Sequence, residues 1–245
     1  MTRLSPVTYV LAALVAYGVA TTFLVAQAVT SSKDPGQWAL IYSDILDKNR
    51  EALSDYTWQY EVQVTEEGEL LYIDTLEATR TSSGALETKR IEKDLQIKQR
   101  QGPLGRAGQE ARLAKIQEKI DFVKGVLQSY VYMSRGQVVD FFDGALVTEA
   151  EGYNNALRVD AENVIRDGDS ILLYGDRATA HPIMLSFTLP FDENVRVDGT
   201  IQFRHLRKSR LFYGAEIDAK FVEIKKAGKE KELSIAVKAF DFEKK

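Results

Sequence analysis

The 245-residue chain contains two histidines, His181 and His205, and no cysteine. A histidine-based metal centre would need both rings to converge with acids from elsewhere, and no H-E-x-x-H or comparable spacing arranges that. His181 precedes Pro182, which holds it extended at the start of a strand, and His205 ends a row containing Phe203. The lack of cysteine removes disulfides, thiolate ligands, thiol nucleophiles and lipid attachment at sulfur. Asp167 and Asp169 look like a fragment of a calcium loop, but the D-x-D-x-D-G register is missing and a hairpin explains Asp-Gly better. The acid pairs Glu66-Glu67 and Asp192-Glu193 could serve as general acid and base. Both fall in turns, where carboxylates are solvated and keep ordinary proton affinities. No G-x-S-x-G, S-x-x-K or phosphate loop occurs. The expectation is a noncatalytic protein with no metal and no cofactor.

What remains for function is apolar surface. Trp58, Tyr60 and Val62, with Ile183, Leu185, Phe187, Ile201, Phe203, Tyr213, Ile217 and Phe221, recur at strand spacing and could line a ligand cavity. Aromatic rings give an acyl chain large contact area at little entropic cost. The plainer reading of the same residues is packed core, since large residues at strand spacing are usually packed. The two readings differ in whether the face is filled to normal density or leaves a void of roughly several hundred cubic ångström. A loose basic run, Lys89, Arg90, Lys93, Lys98, Arg100 and Arg106, could touch anionic headgroups but reads better as a solvated face.

The elements that must position these residues follow from periodicity. Asp34 and Pro35 suit a cap and a first helical position, and Trp38, Ile41, Ile45, Ala52 and Leu53 continue at helical spacing. At Tyr56 the period changes to two, with Trp58, Tyr60, Val62 and Val64 on one face. Strands over Leu70 to Arg80 and Ala85 to about Glu92 complete an antiparallel meander. Residues 98 to 109 lose all periodicity and read as an exposed loop. From Glu110 a helix carries Leu113, Ile116, Ile120, Val123, Leu127 and Tyr130 on one stripe, and a shorter helix capped by Ser134 runs to Gly144. Alternation then returns to the end, with a hairpin at Asp167-Gly168-Asp169 and rows at Ile183 to Leu189, Val195 to Phe203, Leu211 to Phe221 and Leu233 to Ala239. Asp198-Gly199 reads as a bulge or a turn. Eight or nine strands with two groups of helices make an α+β layout: a strongly curved antiparallel sheet, an open half-barrel, covered on its concave side by helices.

The first 28 residues decide the compartment. Val7 to Ala26 is a 20-residue apolar run preceded by one basic side chain, Arg3, and no charge follows until Lys33. That is long enough to cross a bilayer as an apolar N-terminal helix, yet Ala26 and Ala28 also form an A-x-A site with a cut before Val29. Residues 1–28 are a signal peptide or a membrane anchor, and both readings place 29–245, a single domain, outside the cytoplasm: periplasmic or secreted, or anchored in the inner membrane. The formal net charge of −4 implies no nucleic acid partner.

An export signal, a leading helix, an open half-barrel and helices across its hollow together resemble the LolA/LolB-like fold of periplasmic lipoprotein carriers. The junction "NREALSDYTW", residues 49 to 58, resembles that of a poorly characterised group of secreted bacterial proteins. The resemblance implies a cavity between sheet and helices that shelters acyl chains of a lipid or lipoprotein, and no catalytic residues. No ligand-contacting motif of the carriers matches here residue by residue. A sensor or interaction module of the same fold, without cargo, is the alternative.

Overall fold

A computed structural model describes residues 34–81, 85–96, 103–164, 166–206, 209–224 and 230–245. The apolar segment within 1–28 and residues 98–102 of the expected loop lie outside them. Asp34 caps helix α1 (Pro35–Leu53) by accepting from the Gly36 N–H at 3.1 Å. Its buried stripe is Trp38, Ala39, Tyr42, Leu46, Asn49 and Leu53, with Ile41 and Ile45 only partly covered.

The expected meander follows as β1 (Tyr56–Glu66), β2 (Glu69–Arg80) and β3 (Leu86–Leu95). Helix α2 (Pro103–Val126) starts seven residues earlier than the apolar stripe suggests, so the second half of the expected loop is helix. It ends in a π-helical turn, Leu127–Val131. Helix α3 (Arg135–Phe142) carries a capping box in which Ser134 and Gln137 satisfy each other's backbone N–H groups. Seven strands complete the chain: β4 (Leu146–Glu149), β5 (Ala156–Glu162), β6 (Ser170–Asp176), β7 (Pro182–Asp192), β8 (Val195–His205), β9 (Phe212–Ile224) and β10 (Glu230–Lys244).

The ten strands among the described residues form one antiparallel sheet in the order β3-β2-β1-β10-β9-β8-β7-β6-β5-β4. Pairing β1 with β10 joins the N-terminal meander to the C-terminal one, and β3 and β4 stay unpaired edges, so the sheet is open. One continuous inward row runs Ile171, Phe187, Gly199, Ala219, Ile235, Val64, Tyr72 across seven strands. The sheet curls around α2. Within two turns this helix reaches Arg90 of β3 through Gln117 and Phe191 of β7 through Phe122. Six inter-strand steps separate β3 from β7, about 29 Å on a flat sheet, whereas a helix with side chains is only about 10–12 Å across.

Asp198-Gly199 is neither bulge nor turn. β8 passes through it in register with β7 and β9. Glycine is there because a Cβ would sit 2.4 Å from Cζ of Phe187 and 2.6 Å from the Asp218 carbonyl oxygen. In this part of the sheet the register shifts lie elsewhere: Ile183 in β7, Phe191 at its end and Ala215 in β9 are extra residues against their partners. The Asp167-Gly168-Asp169 hairpin is a longer loop in which Asn163 and Gly168 take positive φ.

Candidate functional site

The concave face and the helix across it form the candidate site. Between α2 and strands β10, β1, β2 and β3 runs a crevice lined by Tyr60, Val62, Leu76, Leu86, Ile120, Val123, Leu127, Ile235 and Val237, with Thr88 and Lys124 as its polar members. Its volume is about 10 Å³, space for no more than a single water. The concave face is therefore packed, and the helix stripe that sequence periodicity exposes is what fills it.

Of the proposed cavity residues, Tyr60 and Val62 line the crevice. Trp58, Leu185, Phe187, Ile201, Ile217 and Phe221 are buried in the common core, and Phe203 is half-buried against it. Two were misplaced by register shifts. Ile183 occupies the β7 bulge, half-buried, outside the row of Leu185 and Phe187. Beyond the β9 bulge Gly214 takes the inward position, facing Ile201, Leu127 and Val131, while Tyr213 packs with Phe242 at 4.3 Å. The crevice residues missed by the sequence reading come from other elements: Leu76 of β2, Leu86 of β3 and Ile120 of α2 had visible periodicity, but nothing in it says which rows face each other.

Peripheral polar contacts fasten α2. In its third turn Arg112 pairs with Glu66, whose other oxygen accepts from Lys231 at 2.6 Å. Burial pushes the Glu66 carboxyl up, but the two cations outweigh it and hold the group below the usual carboxylate range. Gln128 accepts the Leu86 N–H at 3.1 Å, tying the far end to the β3 edge. Tyr130 donates to Asp169 at 2.7 Å, and that carboxylate also accepts from the N–H groups of Val164 and Arg166. Asp169 is thus a buried organiser of the β5–β6 loop. Burial raises the Tyr130 pKa, and its bond to Asp169 adds to the rise.

Helix α1 is fixed differently. The β9–β10 ladder ends at Glu216 opposite Lys238, leaving the backbone of Phe212 without a strand neighbour on that side. The Asn49 carboxamide takes that neighbour's place: its amide donates to the Phe212 carbonyl at 2.8 Å and its oxygen accepts the Phe212 N–H at 2.9 Å.

The remaining sequence candidates are otherwise engaged. In the basic run Lys89, Arg90, Lys93 and Arg106 are all exposed, as in a solvated face, while Arg90 also pairs with the buried Asp74 at 2.8 Å and Lys93 covers the Tyr72 ring. Lys98 and Arg100 lie outside the described residues. Asp192 accepts the Asn194 N–H in its turn at 2.8 Å. The histidines do converge, with ring centroids 4.9 Å apart. Among the described residues no group of three or more potential metal ligands forms. No helix among them is long and apolar enough to cross a membrane.

No family model and no curated protein matches the chain. Among solved structures it is similar to the crystal structure of a LolA superfamily protein from Nitrosomonas europaea, at 8% identity and a TM-score of 0.37, covering 84% of this chain and 93% of that one. A likeness at that level carries no argument, and the fold rests on the strand order, register and burial of this chain.

Proposed function

We propose that the protein is a noncatalytic extracytoplasmic binding protein that shelters an apolar ligand, the acyl chain of a lipid or lipoprotein, between the concave face of the sheet and helix α2. The observation that carries this reading is the crevice itself: a nearly all-apolar seam under one helix. That helix is a separable plug. It belongs to no ladder, the polar residues that fasten it do not line the seam, and a π-helical turn at Leu127–Val131 gives it a local irregularity of the kind frequent at functional sites. A ligand enters by displacing α2 and replacing its apolar contacts. The candidate lining is Trp58, Tyr60, Val62, Leu185, Phe187, Ile201, Ile217 and Phe221, extended by Leu76, Ile235 and Val237.

Residues 1–28 act as export signal or inner-membrane anchor on this reading, which accounts for the apolar run ahead of α1. Organic extraction of the purified full-length chain followed by mass spectrometry, with titration of a fluorescent fatty acid, tests it. About one acyl chain per protein, or saturable probe binding, is expected. A second reading is favoured by the 10 Å³ volume of the seam: an interaction module whose interior is solid. Absence of extractable lipid together with no probe binding would select it.

A further inference from the structure

We propose that His181 and His205 form a site for a divalent transition-metal ion, on the outer end of the β7–β8 pair and apart from the acyl site. In that pair Met184 opposes Gln202, Leu185 opposes Ile201 and so on to Pro190 opposite Arg196. Continuing the same register three residues past Met184 places His181 opposite His205, and the rings are 4.9 Å apart at 41°. Two imidazoles sharing one metal would have this spacing. With a metal–nitrogen bond of about 2.1 Å, and about 1.15 Å from nitrogen to ring centre, a nitrogen–metal–nitrogen angle of about 98° gives a centroid separation of about 4.9 Å. That angle lies between square-planar and tetrahedral values, which suits Cu(II), Ni(II) or Zn(II) on imidazole.

Both ligands are held before any ion arrives. The turn before His181 is closed by the Asp176 N–H donating to the His181 carbonyl at 2.9 Å and by Asp176 Oδ1 accepting from Ala178 N, Thr179 N and Thr179 Oγ1. His205 is paired in the ladder to Phe212, the residue that Asn49 anchors, and the Phe212 ring lies 5.3 Å from His181. Among the described residues neither imidazole makes a hydrogen bond, so a ring nitrogen of each is available. Burial, then the neighbouring His205, lower the His181 pKa, against the pull of Asp176 and with that of Arg210. The protein offers two ligands, and water completes the shell, so the ion is exchangeable. Arg210 opposes a dication, and Asp176 favours it.

The test is titration of the tag-free full-length chain with Ni(II), Zn(II) and Cu(II) salts by calorimetry, with electron paramagnetic resonance of the copper form. One saturable ion per chain and a copper spectrum with two equatorial nitrogens are expected. His205→Gln, which alters an exposed side chain, and His181→Gln each weaken binding at least about tenfold, and Arg210→Gln tightens it. If no ion saturates below about 1 mM, or if His205→Gln with an unchanged circular dichroism spectrum binds as the parent does, the proposal is wrong.

Discussion

Truncating Ile120 to alanine tests the packing of the plug. The side chain is 3% exposed and lines the seam opposite Tyr60, Val62 and Ile235. Losing three carbon groups at about 0.8 kcal/mol each removes about 2.4 kcal/mol of transfer free energy. A retained void of about 60 Å³ at about 24 cal/mol per Å³ adds about 1.4 kcal/mol, for a total of about 3–4 kcal/mol. With a urea m-value of about 2 kcal/mol per M, the midpoint falls by about 1.5–2 M. The space created joins the existing seam, so the variant binds a short fatty acid more tightly than the parent. At a concentration of 100 Kd the ligand restores about 2.7 kcal/mol. Equilibrium unfolding followed by tryptophan fluorescence, with and without decanoate, reads both effects. A loss below about 1 kcal/mol would show that α2 is not packed on the sheet. The full loss without any rescue by decanoate would show that the seam does not accept acyl chains.

Other substitutions probe the frame. Asn49→Ala leaves the Phe212 N–H and C=O buried without partners and is expected to cost about 2–4 kcal/mol in urea unfolding. Gly199→Ala forces a Cβ into Phe187 and the Asp218 carbonyl and should cost about 1–3 kcal/mol; because one obstacle is backbone, adding Phe187→Leu should not restore stability. Glu66→Gln should cost about 1–2 kcal/mol at neutral pH. The folded-state pKa of Glu66 is depressed, so its contribution is full above the unfolded value of about 4.3 and fades as pH falls through the lower folded value, where parent and variant unfolding curves converge.

Much of this architecture was legible because periodicity reports burial directly. Trp58 to Val64, the Ile120–Val123–Leu127 stripe and the Asp34 and Ser134 caps all appear where their spacing and chemistry place them. The misplacements share one cause. Ile183 and Tyr213 were assigned faces by strict alternation, but a bulge is a relation between two strands and leaves no mark in one. The four-residue β4 was too short to show a period, and Gly105 and Gly108 hid the first turns of α2 behind a composition typical of loops. The His181–His205 pairing was not legible, since simple alternation about the Glu193–Asn194 turn sets His181 opposite Leu206 and only the extra residue Phe191 brings His205 into place. Nor was the filling of the concave face, because packing depends on how far the sheet curls around α2.

The central claim is that α2 is a plug that an acyl chain displaces. The cysteine-free chain allows spin labels to be placed without background at Glu118→Cys on the exposed side of α2 and Glu87→Cys on β3. Pulsed electron–electron resonance should give one short distance without ligand and a longer one, growing with occupancy, when fatty acid or lipoprotein is added. An unchanged short distance at saturating, stoichiometrically bound acyl ligand would contradict the account.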